Sequence, residues 1–247
     1  MAETAPSNTA KPFEPAAIEI DLRDPWLAAF LAWLWPGLGH FYQRRWGKGG
    51  LYMTCILATF FYGMWLGGGR VVYASFRDAD THYAYVCQVG VGLPALPAVV
   101  QMIRTGGPTP KAPLMDGLMA PPMVNGQIVP RTWIDQQRAD HPEDREYDPA
   151  YYGEVGNELG INPNYYRYEP LDPRRGGETT QLGEWNYRLG AYYDLGTVFT
   201  MIAGLLNVLV IWDAWGGPAG IPDTGDEEKD DEQKNGDQKK PDQSKPD

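Results

Sequence analysis

The chain is poor in the residues that most enzymes and metal proteins rely on. Its 247 residues include two cysteines, Cys55 and Cys87, and three histidines, His40, His82 and His141. Both cysteines fall inside apolar stretches, where a free thiol behaves as a small hydrophobe, so neither a disulfide framework nor a zinc site is supported. There is no HExxH, no Cys-x-x-Cys, no Gly-Lys-Ser/Thr phosphate loop and no Gly-x-Ser-x-Gly elbow. Basic residues are outnumbered, 21 Lys and Arg against 32 Asp and Glu, giving a net charge of −11. With no basic stripe to neutralise phosphates, nucleic acid is excluded as a partner. The first 24 residues are polar and acidic, without the basic region, apolar core and small-residue cleavage site of a cleavable signal. The expectation is that the first apolar span directs insertion itself.

What is present is apolar sequence in blocks. The mean hydropathy of −0.43 suggests a soluble chain, but it averages apolar stretches with strongly polar ends. Pro25–Leu66 holds two apolar runs joined by the short basic turn QRRWGK. Runs of this length suit a hydrocarbon core about 30 Å thick crossed at about 1.5 Å per residue. The predicted fold is an all-α membrane protein of about four transmembrane helices, with an irregular extramembrane region and disordered termini. Span one is Trp26–Tyr42, interrupted at Pro36, Gly37 and Gly39. Span two is Gly49–Leu66, stopped by three glycines. Span three, Tyr83–Ile103, carries Gln88, Gly90, Gly92, Pro94 and Pro97. It reads as a kinked span or as a re-entrant segment. Span four, Leu195–Trp212, has aromatic residues at both ends, as at membrane interfaces.

This divides the chain into a disordered tail (1–24), a membrane module (25–103), a Tyr- and Pro-rich extramembrane segment (104–190), a last helix (191–216) and a disordered acidic tail (217–247). Within the extramembrane segment, Asp135–Glu146 is a candidate short helix, and the rest is expected to be loosely folded on the membrane surface. With four spans, Arg44, Arg45, Lys48, Arg104, Lys111 and Arg188 share one side, which the positive-inside bias makes cytoplasmic; Arg23, Arg70 and Arg77 oppose it.

Candidate functional positions are few. Arg44, Arg45 and Lys48 are candidate contacts to lipid headgroups. Gly63 and Gly67 have the spacing that lets membrane helices approach closely, and chance in a Gly-rich helix end is the alternative. Thr200, Gly204 and Asn207 share one helical face, suited to packing with Asn207 hydrogen-bonding across it; a solute path is the alternative. His40 has no neighbouring ligand within its span, which makes poor metal chemistry. No ionisable residue lies in the middle of the spans, and no catalytic, cofactor or metal residue is assigned.

The stretch PGLGHFYQRRWGKGG resembles the transmembrane-two domain, a small membrane hairpin, through Pro36, Gly37, Gly39, His40, Phe41, Tyr42, Gly47 and Gly49. The resemblance covers about residues 26–66. It departs at Gln43–Trp46, where many members have a Gly-containing turn, and it lacks the acidic-Arg-Phe signature, so receptor-like coupling is not implied. Together with LGTVFTMIAGLLNVLVIWDAWGGP, Leu195–Pro218, the hairpin also resembles an uncharacterised family of planctomycete membrane proteins. That resemblance implies a bacterial multi-pass protein and supplies no activity. The expectation is therefore a non-enzymatic structural or interaction protein of the cytoplasmic membrane. Its partners are the bilayer, other copies of itself or other membrane proteins, and it needs no cofactor. The alternative is a small-solute channel or transporter.

Overall fold

The computed structural model describes residues 24–77, 80–115, 117–154, 164–169 and 180–216; both expected tails lie outside them, save for Asp24. Helix α1, Pro25–Leu34, starts where Asp24 accepts a hydrogen bond from the Trp26 amide at 3.0 Å and Pro25 fits the first turn. It ends because Pro36 forces Trp35 into extended backbone. Gly37, at φ +81°, then reverses the chain into the short helix α2, Leu38–Tyr42. The return is tight: a Cβ on Gly39 would lie 2.1 Å from the Ala28 carbonyl oxygen. Helix α3 follows, Trp46–Leu66, and runs antiparallel to the last helix, α8, Ala191–Gly216. Gly63 lies against Gly196 at one end of this pair, and Arg45 reaches Asp213 at the other.

Segment α1–α2 therefore enters and leaves at the same end of the α3–α8 pair. Trp26 packs 5.5 Å from Trp215, and Gln43 Nε2 donates to the Ala214 carbonyl at 2.6 Å. Its ten helical residues reach about 15 Å, half a bilayer core.

A second broken segment enters from the other end. After α3, Gly68 and Gly69 turn the chain at positive φ into buried Val71–Ser75 and a small hairpin of β1, Phe76–Arg77, and β2, Asp80–Thr81. Helix α4, Ala84–Gln88, passes into two single 3-10 turns around Gly92 (φ +81°), and α5, Pro97–Thr105, returns. Gln101, on the returning arm, donates to the Leu118 carbonyl, and Met119 N–H to that of Gly69, so the segment leaves beside the end of α3. The two tips touch. Trp33 Nε1 donates to the Val89 carbonyl at 3.3 Å, and a Cβ on Gly92 would sit 1.8 Å from the Trp33 carbonyl oxygen.

Two of the four expected spans, α3 and α8, are helices long and apolar enough to cross a membrane. The other two are broken segments that reach each other from opposite ends, because Pro36–Gly37 and Gly92–Pro94 end their helices halfway. The basic residues expected on one side are split accordingly. Arg44, Arg45 and Lys48 lie at one end, while Arg104, Lys111 and Arg188 lie toward the other.

Large apolar side chains face outward. Helix α8 exposes Leu195, Val198, Ile202, Leu205 and Leu209, and buries Gly196, Thr200, Ala203, Gly204 and Asn207. A soluble protein's core helix has the reverse pattern.

The segment expected to be loosely folded holds a small core. Strands β3, Ile128–Pro130, β4, Tyr152–Glu154, and β5, Tyr165–Tyr168, form an antiparallel sheet in the order β3-β5-β4. Helix α6, Arg131–Asp140, takes the place of the helix expected at Asp135–Glu146; it starts earlier, directly after β3, and ends before Pro142. Met123, Val129, Ile134, Tyr147, Tyr151, Tyr166 and Tyr168 pack between them. Helix α7, Gln181–Leu189, joins this cap to α8.

Candidate functional site

Where the broken segments meet, α1 and α4 end inside the molecule, and carbonyls at a helix end lack intrahelical donors. Two buried amides serve this region. Asn207 Nδ2 donates to the Ala32 carbonyl at 3.1 Å and the Gly90 carbonyl at 2.8 Å. Gln88 Nε2 donates to the Val71 carbonyl at 3.0 Å and to Thr200 Oγ1 at 2.9 Å. Gln88, Thr200 and Asn207 are all 0% exposed. Their backbones are close: a Cβ on Gly204 would lie 1.9 Å from the Cys87 carbonyl oxygen, and one on Gly90 2.7 Å from that of Gly204. The layer carries no formal charge. Gln88 Oε1 and Asn207 Oδ1 are buried with no hydrogen-bond partner, two acceptors available to a donor or a water.

Among the described residues, charge gathers at the two ends. At the turn end, His40 is fully buried, and its Nε2 lies 2.7 Å from Asp213 Oδ2. Arg45 and Lys48 approach the same oxygen at 3.3 and 3.6 Å. The cluster pins the hairpin turn to the end of α8. His40 has no sequence neighbour able to pair with it; its partner comes from 173 residues away. At the cap end, Arg70 forms a bidentate pair with Glu146 at 2.9 and 3.0 Å. Glu146 also accepts from Trp185 Nε1 at 2.7 Å, and the Arg70 guanidinium lies 5.1 Å from that ring's centre. The cleft beside this pair has about 30 Å³ of free space, room for a water. Burial pushes the Tyr168 phenol up to about 12 and raises that of Tyr152 further.

Thr200, Gly204 and Asn207 come together in the central layer. Gly63 packs on Gly196, Phe199 and Thr200; Gly67 packs on Val71 and touches Gly196. Arg45 and Lys48 turn to Asp213, while Arg44 is exposed at φ +61°. Gln88, Asp213, Arg70 and Glu146 were not among the expected site residues. The amide of Gln88 within the apolar run Tyr83–Ile103 is the visible signal for the first, and nothing local marks the other three. His82 is tied down structurally: its Nδ1 lies 2.8 Å from the Tyr73 carbonyl and its ring stacks on Tyr73 at 3.9 Å. Among the described residues no three His, Cys, Asp or Glu side chains gather as metal ligands.

No curated protein and no solved structure matches the chain. One family model does, over residues 27–227, taking in both broken segments, the cap and both long helices. The chain accordingly belongs to that family, DUF6677, a family of unknown function.

Proposed function

We propose that the chain is a non-enzymatic, multi-pass protein of a bacterial cytoplasmic membrane. In this reading α3 and α8 cross the bilayer, and the two broken segments re-enter from opposite faces. The protein acts as a structural or interaction component whose cap meets its partners. The observation that carries this reading is the use of its polar groups. The N–H groups of the two buried amides, the His40–Asp213 contact and the Arg70–Glu146 pair hold the molecule together, while the outward surface of α8 is aliphatic. Irregular backbone at membrane depth is tolerated where it is buried in protein, as at the touching tips. The likeness of residues 26–66 to a transmembrane-two hairpin belongs to the same reading, with α1 as a half-length first arm. Cross-linking in native membranes followed by purification tests it. A reproducible stoichiometric partner, another protein or a second copy, is the expected result, and recovery of the monomer alone counts against it.

A second reading, a small-solute pathway, is favoured by one specific observation. Broken helices meeting at mid-bilayer are where transporters bind solutes, and here two buried acceptors lie unpartnered beside the meeting point. Solute flux into liposomes that is lost in Gln88→Leu or Asn207→Leu would support it, and flux that persists in both would remove it.

A further inference from the structure

The end of α5 differs from the turn end in how its cations are engaged. Helix α5 leaves the central meeting point at Leu96–Pro97, and Arg104 lies about 11 Å further along it, close to half a hydrocarbon core. There the chain folds back on itself: Lys111 N–H donates to the Arg104 carbonyl at 3.1 Å, and Arg104 Nε donates to the Ala112 carbonyl. The fold-back brings Arg104 and Lys111 to the same groove of about 360 Å³, whose other walls include Val100, Ile103 and Leu114. Those three apolar side chains are 49%, 68% and 59% exposed. Among the described residues no carboxylate pairs with either cation, in contrast to Arg45 and Lys48, which share Asp213.

We infer that this groove binds an anionic glycerophospholipid, with the phosphate between Arg104 and Lys111 and an acyl chain along Val100 and Ile103. The inference rests on the membrane reading above. Charge complementarity selects the anion: two uncompensated cations at headgroup depth attract a phosphate, and long basic side chains reach to that level. The exposed aliphatic wall continuous with them selects a lipid over a free phosphate, because an inorganic anion gains nothing from that wall. The sequence alone points to the basic turn, Arg44, Arg45 and Lys48, as the headgroup contact; two of those three are already taken.

The test uses the full chain purified in neutral detergent, with phosphatidylglycerol or phosphatidylcholine added and retention read by native mass spectrometry. Phosphatidylglycerol stays bound and phosphatidylcholine does not. The Arg104→Gln/Lys111→Gln double variant loses about 30-fold in phosphatidylglycerol affinity. Lys111→Gln alone, whose side chain is exposed and leaves the fold undisturbed, loses about fivefold. Equal retention of the two lipids, or unchanged affinity in the double variant, overturns the inference. So does displacement of the lipid by inorganic phosphate, which would make the groove a free-anion site. Alkaline extraction of cell membranes, run alongside, separates two kinds of failure. A chain released to the supernatant overturns the membrane reading, whereas a retained chain with no lipid preference overturns the groove alone.

Discussion

Asn207 and Gln88 each give both amide protons to acceptors on other segments, so each is a tie between parts of the chain distant in sequence. Arg70 does the same at the cap, and there the consequence of removal is largest. Arg70→Leu leaves the fully buried Glu146 carboxylate without its counter-charge, a type of loss that costs about 3 kcal/mol or more. Hydrogen exchange of the β3–β5 amides should report a cap opening that is easier by that amount; exchange rates unchanged from wild type would refute it. The tyrosines give a sign for pH. Tyr168 holds its proton to about 12 in the folded cap, while an exposed tyrosine loses it near 10. Between those values the unfolded chain binds fewer protons, so cap stability is complete below about pH 10 and falls as pH rises toward 12. Near-ultraviolet circular dichroism across that window should show the cap's aromatic signal collapse, and a signal flat to pH 12 would refute the assignment.

At the scale of elements, tight backbone approach decides which glycines matter. Gly204→Ala places a methyl group on the Cys87 carbonyl oxygen, backbone against backbone, with no flexible neighbour to give way. It should separate α8 from α4 and lower thermal stability in detergent by several degrees. Gly47→Ala in the first turn of α3 meets nothing within 4 Å and should be neutral or stabilising by up to about 1 kcal/mol. Equal effects from the two would sink this account. Elements also divide what the sequence made legible from what it did not. The length and hydropathy of α3 and α8 were plain, as was the shared face of Thr200, Gly204 and Asn207. The α1 segment reads in the sequence as an interrupted span, but Pro36–Gly37 folds it back instead of kinking it, and hydropathy does not register a reversal. Strand β5 was hidden because three of its four residues are tyrosine, so no hydrophobic alternation marked the inward pair Tyr166 and Tyr168. His40–Asp213 and Arg70–Glu146 join residues too far apart for any local pattern to announce.

At the scale of the whole molecule, the proposed arrangement of two crossings and two re-entrant segments differs from four crossings in one measurable way. Four crossings place the Arg44 turn and the Lys111 loop on the same side of the membrane. Two crossings place them on opposite sides. In a Cys55→Ser/Cys87→Ser background, Arg44→Cys and Lys111→Cys should react with an impermeant thiol reagent from opposite faces of sealed vesicles. Labelling from one face would restore the four-span arrangement.

The dependence of α1 on α8 also has a consequence during synthesis. Ala32 receives its hydrogen bond from Asn207, and His40 its partner from Asp213, 175 and 173 residues later. At ordinary translation speeds of about 5–20 residues per second, the first helical hairpin waits about 10–30 s before the last helix emerges to close it. For that interval the Ala32 carbonyl and His40 lack their native partners, and the polar groups of the hairpin tip stay unsatisfied. Helix α8 is thus the element that lets α1 and α2 be buried, and a chain that stops ahead of Asn207 has no means of closing them.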